Sequence, residues 1–107
     1  MKALPTNVFP YKRTTDFTES TVPAGLLRSH DTKDRVWGKI VVLEGNLLYR
    51  ILEPEVEEIL LSSDRCGVVE PRVRHEVLPF SGVRFYVEFY REKVARQPVA
   101  TDCVRED

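Results

Sequence analysis

At 107 residues, with 42% hydrophobic and 31% charged side chains, the chain has the length of one domain and ordinary globular usage, so a single folded domain is expected rather than a disordered chain or two domains. Its 16 basic and 17 acidic residues leave a net charge of −1, so there is no electrostatic footprint for a phosphate backbone and nucleic acid is not expected as a partner.

In chain order, strands are predicted at Val8 to Arg13, Ala24 to Ser29, Val36 to Leu43, Leu47 to Leu52, Glu57 to Leu61, Gly67 to Val69, His75 to Leu78 and Val83 to Arg91. Short strands at this spacing read as a sandwich or barrel. Glu44-Gly45-Asn46 tolerates positive φ between two β-branched and aromatic runs, which is a hairpin signal. Ser62-Ser63-Asp64-Arg65 and Phe80-Ser81-Gly82 mark further turns, and Pro10, Pro23, Pro54, Pro71 and Pro79 fall at or beside strand ends, where a missing N–H costs no ladder bond. Helix is scarce. Val56, Ile59 and Leu60 lie at helical spacing, but Pro54 and the following Ser-Ser-Asp favour a strand after a tight corner. Residues 1–91 are read as a β-barrel domain and 92–107 as a C-terminal tail.

Side-chain parity adds two expectations. Phe85, Val87 and Phe89 share one face of the last strand, while Arg84, Tyr86, Glu88 and Tyr90 share the other; a Glu between two tyrosines suits either a lined cavity or a solvent-facing row. On the Val36 strand, Trp37, Lys39, Val41 and Leu43 oppose Gly38, Ile40 and Val42. Two apolar faces imply cover on both sides, by a second subunit or by the N-terminal strand.

The N-terminus, Met1-Lys2-Ala3-Leu4-Pro5, has no apolar h-region, and no run approaches the roughly 20 apolar residues of a membrane span. Cys66 and Cys103 are too few for a disulfide framework and form no CxxC pair. A cytoplasmic protein with free thiols and no membrane association is expected.

Thr21-Val22-Pro23-Ala24-Gly25-Leu26-Leu27-Arg28-Ser29-His30, Val36-Trp37-Gly38-Lys39-Ile40-Val41-Val42-Leu43-Glu44-Gly45, Glu70-Pro71-Arg72-Val73-Arg74-His75 and Phe85-Tyr86-Val87-Glu88-Phe89 carry a family likeness. From Val8 to Arg91 the chain resembles the small cupins of the tellurite-resistance-protein-like (TehB-like) family, whose fold also occurs fused ahead of a tellurite-resistance methyltransferase. The resemblance implies an all-β, cupin-like double-stranded β-helix, a small jelly-roll barrel, that forms a homodimer. Cupins place a His-x-His, a Glu and a Gly in one motif and a third His after a Pro-Gly turn in another. Here Pro71 precedes His75 by four residues with Arg72 in place of the glycine, His30 stands alone, and Gly38 occupies the place of the metal-binding Glu. The usual three-His-one-Glu set cannot be assembled.

A divalent transition metal (Zn, Fe, Ni or Mn) remains an expectation, because imidazole and carboxylate suit such ions and an open catalytic site needs about three protein ligands. His30 and His75 are the only histidines, and Glu88 is the first choice for the third donor, ahead of Glu70 and Asp31. The plain readings are a structural His75 capping the barrel mouth and a surface His30. For a small anionic ligand, Lys33, Arg35, Arg72 and Arg74 are candidate clamps at the entrance, since Arg offers bidentate geometry to an oxyanion; a self-neutralised solvated loop is the plain reading. There is no Gly-x-Ser-x-Gly elbow and no phosphate-cradling glycine loop.

Three functions follow from different classes. The first is a metal- or anion-binding module in a stress or oxyanion (tellurite) resistance response. The second is a metal-dependent oxygenase or isomerase using His30, His75 and a carboxylate. The third is a non-catalytic dimeric structural or regulatory domain.

Overall fold

Alternation of inward and outward side chains holds along the long strands and stacks them as two antiparallel sheets. The computed structural model describes residues 1–27 and 32–93. Its strands are β1 (Val8–Arg13), β2 (Phe17–Thr18), β3 (Val36–Glu44), β4 (Leu47–Ile51), β5 (Glu57–Leu61), β6 (Gly67–Val69), β7 (His75–Pro79) and β8 (Arg84–Glu92). One sheet runs β1-β8-β3-β6 with β2 also on β8, and the other runs β5-β4-β7. The all-β expectation is met, and the strands from Val8, Val36, Leu47, Glu57, Gly67, His75 and Val83 stand where the sequence put them, to within a residue at their ends.

One expected strand is corrected. Ala24–Leu26 is a 3₁₀ turn, because the Leu26 N–H bonds back to the Pro23 carbonyl at 3.0 Å and the Leu27 N–H to the Ala24 carbonyl at 3.1 Å. Arg28 and Ser29 lie outside the described residues. Strand β2 was not expected, since two residues carry no alternation signal; its Phe17 packs edge-on to Phe85 at 5.7 Å.

Ile40 and Val42 of β3 and Phe85 and Val87 of β8 share one buried cluster with Leu47, Tyr49 and Ile51 of β4. The sheets meet tightly where β6 begins: a Cβ on Gly67 would stand 2.8 Å from Leu61 Cδ1 and 3.1 Å from Tyr49 Cδ2. Buried between them, the Tyr49 hydroxyl donates to the Val68 carbonyl at 2.9 Å, while the Val68 N–H reaches Met1 Sδ at 3.2 Å. Both backbone groups that β6 turns away from β3 are thereby satisfied, which blunts this edge of the sheet.

The second face of β3 is covered in part. Trp37 is buried, and its Nε1–H donates to Glu92 Oε2 at 3.0 Å. Strand β1 extends the sheet beside β8 rather than lying over it. The segment before β1 spans from Lys2, paired with Glu70 at 3.4 Å, to Asn7, whose carbonyl accepts from the Lys93 N–H at 2.8 Å, across the end of β3 that carries Trp37. Among the described residues no helix is long and apolar enough to cross a membrane.

Candidate functional site

His75 opens β7 opposite Ile51, so strand parity turns it inward with Val77. It is only 4% exposed, its Nδ1–H donates to the Val73 carbonyl at 3.1 Å, and its ring meets Tyr49 edge-on at 5.8 Å. Burial first, then the charges of Glu70 and Glu57, push the Tyr49 phenol well above its ordinary range, so it remains a neutral donor.

The interior beside His75 is a cavity of about 20 Å³ lined by Thr32, Ile40, Phe85 and Phe89 among others. About 10–15 Å³ suffices for one water, so this space takes one water-sized species and no larger ligand without side-chain movement. Thr32, the other polar group there, donates to the Glu70 carbonyl at 3.1 Å and its hydroxyl lies 3.3 Å from the Arg72 N–H. These bonds, with Arg72 N–H to the Thr32 carbonyl at 3.1 Å, stitch the loop before β3 to the turn before β7.

Of the expected metal donors, His75 and Glu88 fall among the described residues, and only His75 lines the inner cavity. His30 and Asp31 lie outside the described residues. Glu88 sits on the face of β8 opposite the cavity, directly across from Lys39 on β3 and Arg13 on β1, and accepts from the Tyr90 hydroxyl at 2.7 Å. Glu70 contributes its carbonyl to Thr32 and its carboxylate to Lys2. Among the described residues, no group of three or more His, Cys, Asp and Glu is placed to hold a metal.

Burial, assisted by the bond to Glu88, pushes Tyr90 up to about 12. An unfolded phenol ionises near about 10, so the native state holds this proton more tightly, and the resulting stability is complete below about pH 10 and lost as pH rises towards about 12. Alkaline unfolding followed by circular dichroism is expected to be shallower in this window for Tyr90→Phe than for the parent. Equal slopes would show that the Tyr90 proton does not stabilise the fold.

The four candidate clamps divide. Lys33 and Arg35 belong to one turn, closed by Val36 N–H to the Lys33 carbonyl at 3.1 Å, with Arg35 at φ 64°. Arg72 is the third residue of another turn, Glu70-Pro71-Arg72-Val73, at φ 62°, where type II turns favour glycine or asparagine. Arg72 therefore stands at the glycine position of the motif it resembles. The Arg74 backbone is held against the residues that follow β4 instead: its N–H donates to Glu53 Oε1 at 3.3 Å and its carbonyl accepts from the Leu52 N–H.

Lys33 and Arg35 are joined by Arg91 around a cleft of about 270 Å³ that Asp34, Val36 and Glu92 complete. Register explains the arrival of Arg91: it pairs with Val36 on β3, and the Glu92 N–H donates to the Arg35 carbonyl at 3.2 Å. Its guanidinium lies 4.4 Å above the Tyr11 ring. No ion pair engages Lys33, Arg35 or Arg91 among the described residues. Arg91 went unnoticed in the sequence, although it continues the Phe85, Val87, Phe89 parity; nothing in the sequence reveals that β8 pairs with β3 at this point.

The sequence model of the TehB-like domain matches residues 12–87. A solved structure of a protein from E. coli strain K12 is 21% identical over 88% of this chain and 100% of its own, with a TM-score of 0.79, a likeness of fold. TehB from Haemophilus influenzae is 27% identical over 81% of this chain, with a TM-score of 0.75, and this chain covers 32% of that longer protein. No curated protein matches the sequence.

Proposed function

The chain belongs to the TehB-like domain family, which is related to tellurite resistance, and on that premise we propose that it is a non-catalytic binding module that takes a small anion in the cleft of Lys33, Arg35 and Arg91. The observation that carries this reading is the meeting of three cations around one cleft, none of them in an ion pair among the described residues. Guanidinium groups offer paired N–H donors matched to oxyanions and carboxylates. Arg35 also holds a left-handed backbone that glycine would adopt without strain, a cost consistent with a side chain kept for its use. The cleft, at about 270 Å³, falls just below the usual range of about 300–1,000 Å³, which suits a small ligand. The family relation makes tellurite and selenite the first oxyanions to try, with phosphate beside them.

Two glycine variants test this. In Arg35→Gly the turn loses its strain, so the melting temperature is expected to rise by a few degrees while anion affinity, read by NMR shifts of residues 33–36 and 91–92, falls about tenfold. Arg72→Gly relieves the same strain outside the cleft and should leave affinity within about twofold. The reading fails if the parent shows no saturable shifts, or if both variants bind alike.

A further inference from the structure

Two exposed aromatic side chains of β1 stand beside the cationic cleft, Phe9 through its pairing with Arg91 and Tyr11 through its ring contact with the Arg91 guanidinium. Phe9 pairs with Arg91, which pairs with Val36, so the three form one cross-strand row on the same sheet face, with neighbouring strands about 5 Å apart. This is also the face on which Phe85, Val87 and Phe89 line the inner cavity. Strand β1 is exposed along most of its length, and Phe9 and Tyr11 are 41% and 42% exposed. Tyr11 lies beneath the Arg91 guanidinium, which fixes that cation at the border between cleft and ledge.

From this juxtaposition we infer that the preferred ligand is an anion bearing a flat apolar group, with its charged head between Lys33, Arg35 and Arg91 and its planar body against Phe9. This rests on the anion-binding reading above and deepens it. Asp34 and Glu92 also line the cleft, Glu92 accepting from the Trp37 indole, so the head group meets three cations against two carboxylates. A bare oxyanion fills the head site and leaves the aromatic ledge wet. An aryl anion covers both, and ring contacts of this kind strengthen binding several-fold.

The test compares phenyl phosphate with methyl phosphate, equal in charge, by titration calorimetry at fixed ionic strength. The parent is expected to bind phenyl phosphate about fivefold more tightly, with nuclear Overhauser contacts from the phenyl protons to the Phe9 ring; Phe9→Ala brings the ratio close to one and leaves methyl phosphate unchanged. Equal binding of the two phosphates by the parent overturns this inference and leaves the anion cleft standing. Binding of neither overturns the cleft itself. A parent that sediments as a dimer while Phe9→Ala is monomeric, with no phenyl preference, overturns the inference and makes the ledge an interface between copies of this chain.

Discussion

Gly45→Ala is expected to cost about 2–4 kcal/mol, among the largest losses available to a single added methyl group in this chain. Gly45 turns the hairpin between β3 and β4 at φ 76°, which already disfavours any side chain. The added Cβ would stand 2.9 Å from Val83 Cα, 3.0 Å from the Gly82 carbonyl oxygen and 3.1 Å from Val83 N. All three atoms are backbone, so no rotamer change relieves the clash. Gly82 is the matched control: its φ is 82°, but a Cβ there meets nothing within 4 Å. Gly82→Ala should therefore show the conformational cost alone, about 1 kcal/mol. Urea unfolding of both variants separates the terms, and equal midpoint shifts would remove the steric part of the argument.

Gly45 belongs to what the sequence makes legible. Glu44-Gly45-Asn46 between two alternating runs announces the hairpin because positive φ and strand alternation are local properties. The same holds for Val8–Arg13, Glu57–Leu61 and Gly67–Val69, whose bounds need only alternation and the turn residues that flank them. Parity also separates Glu88 from Phe85, Val87 and Phe89, but alternation defines two faces without saying which is enclosed. The apolar set faces the cavity, and Glu88 takes the other side with Tyr90. Ala24–Leu26 misleads for a different reason: the Pro23 and Ala24 carbonyls capture the next donors locally, before any neighbouring strand can.

The cleft needs more than local information. Lys33 and Arg35 stand out as a charged cluster, yet Arg91 and Phe9 join them only through the pairing of β8 with β3 and β1. Separations of more than fifty residues are closed by that register, and one sequence contains no term that fixes it. Arg72 and Arg74 illustrate the converse. They are close to His75 in sequence, but a turn and a contact with Glu53 direct them to different neighbours from those of Lys33 and Arg35.

Phe85→Ala is expected to lose about 3–5 kcal/mol, the range for a fully packed phenylalanine. Phe85 is 0% exposed, meets Phe17 edge-on, and lines the cavity beside His75. The magnitude decides between two views of the interior. A filled core with room for one water cannot collapse around the missing ring and bears the full loss of transfer and cavity terms. An interior built to yield to a ligand would relax, and the loss would fall to about 2 kcal/mol or less. Denaturant titration measures the difference; if Phe85→Ala does not fold, Phe85→Leu reports the same packing through a smaller loss, about 1 kcal/mol. Because Phe85 does not line the Lys33–Arg35–Arg91 cleft, anion affinity of the folded variant should match the parent. A small stability loss together with weakened anion binding would move the binding site from the loop cleft into the space between the sheets.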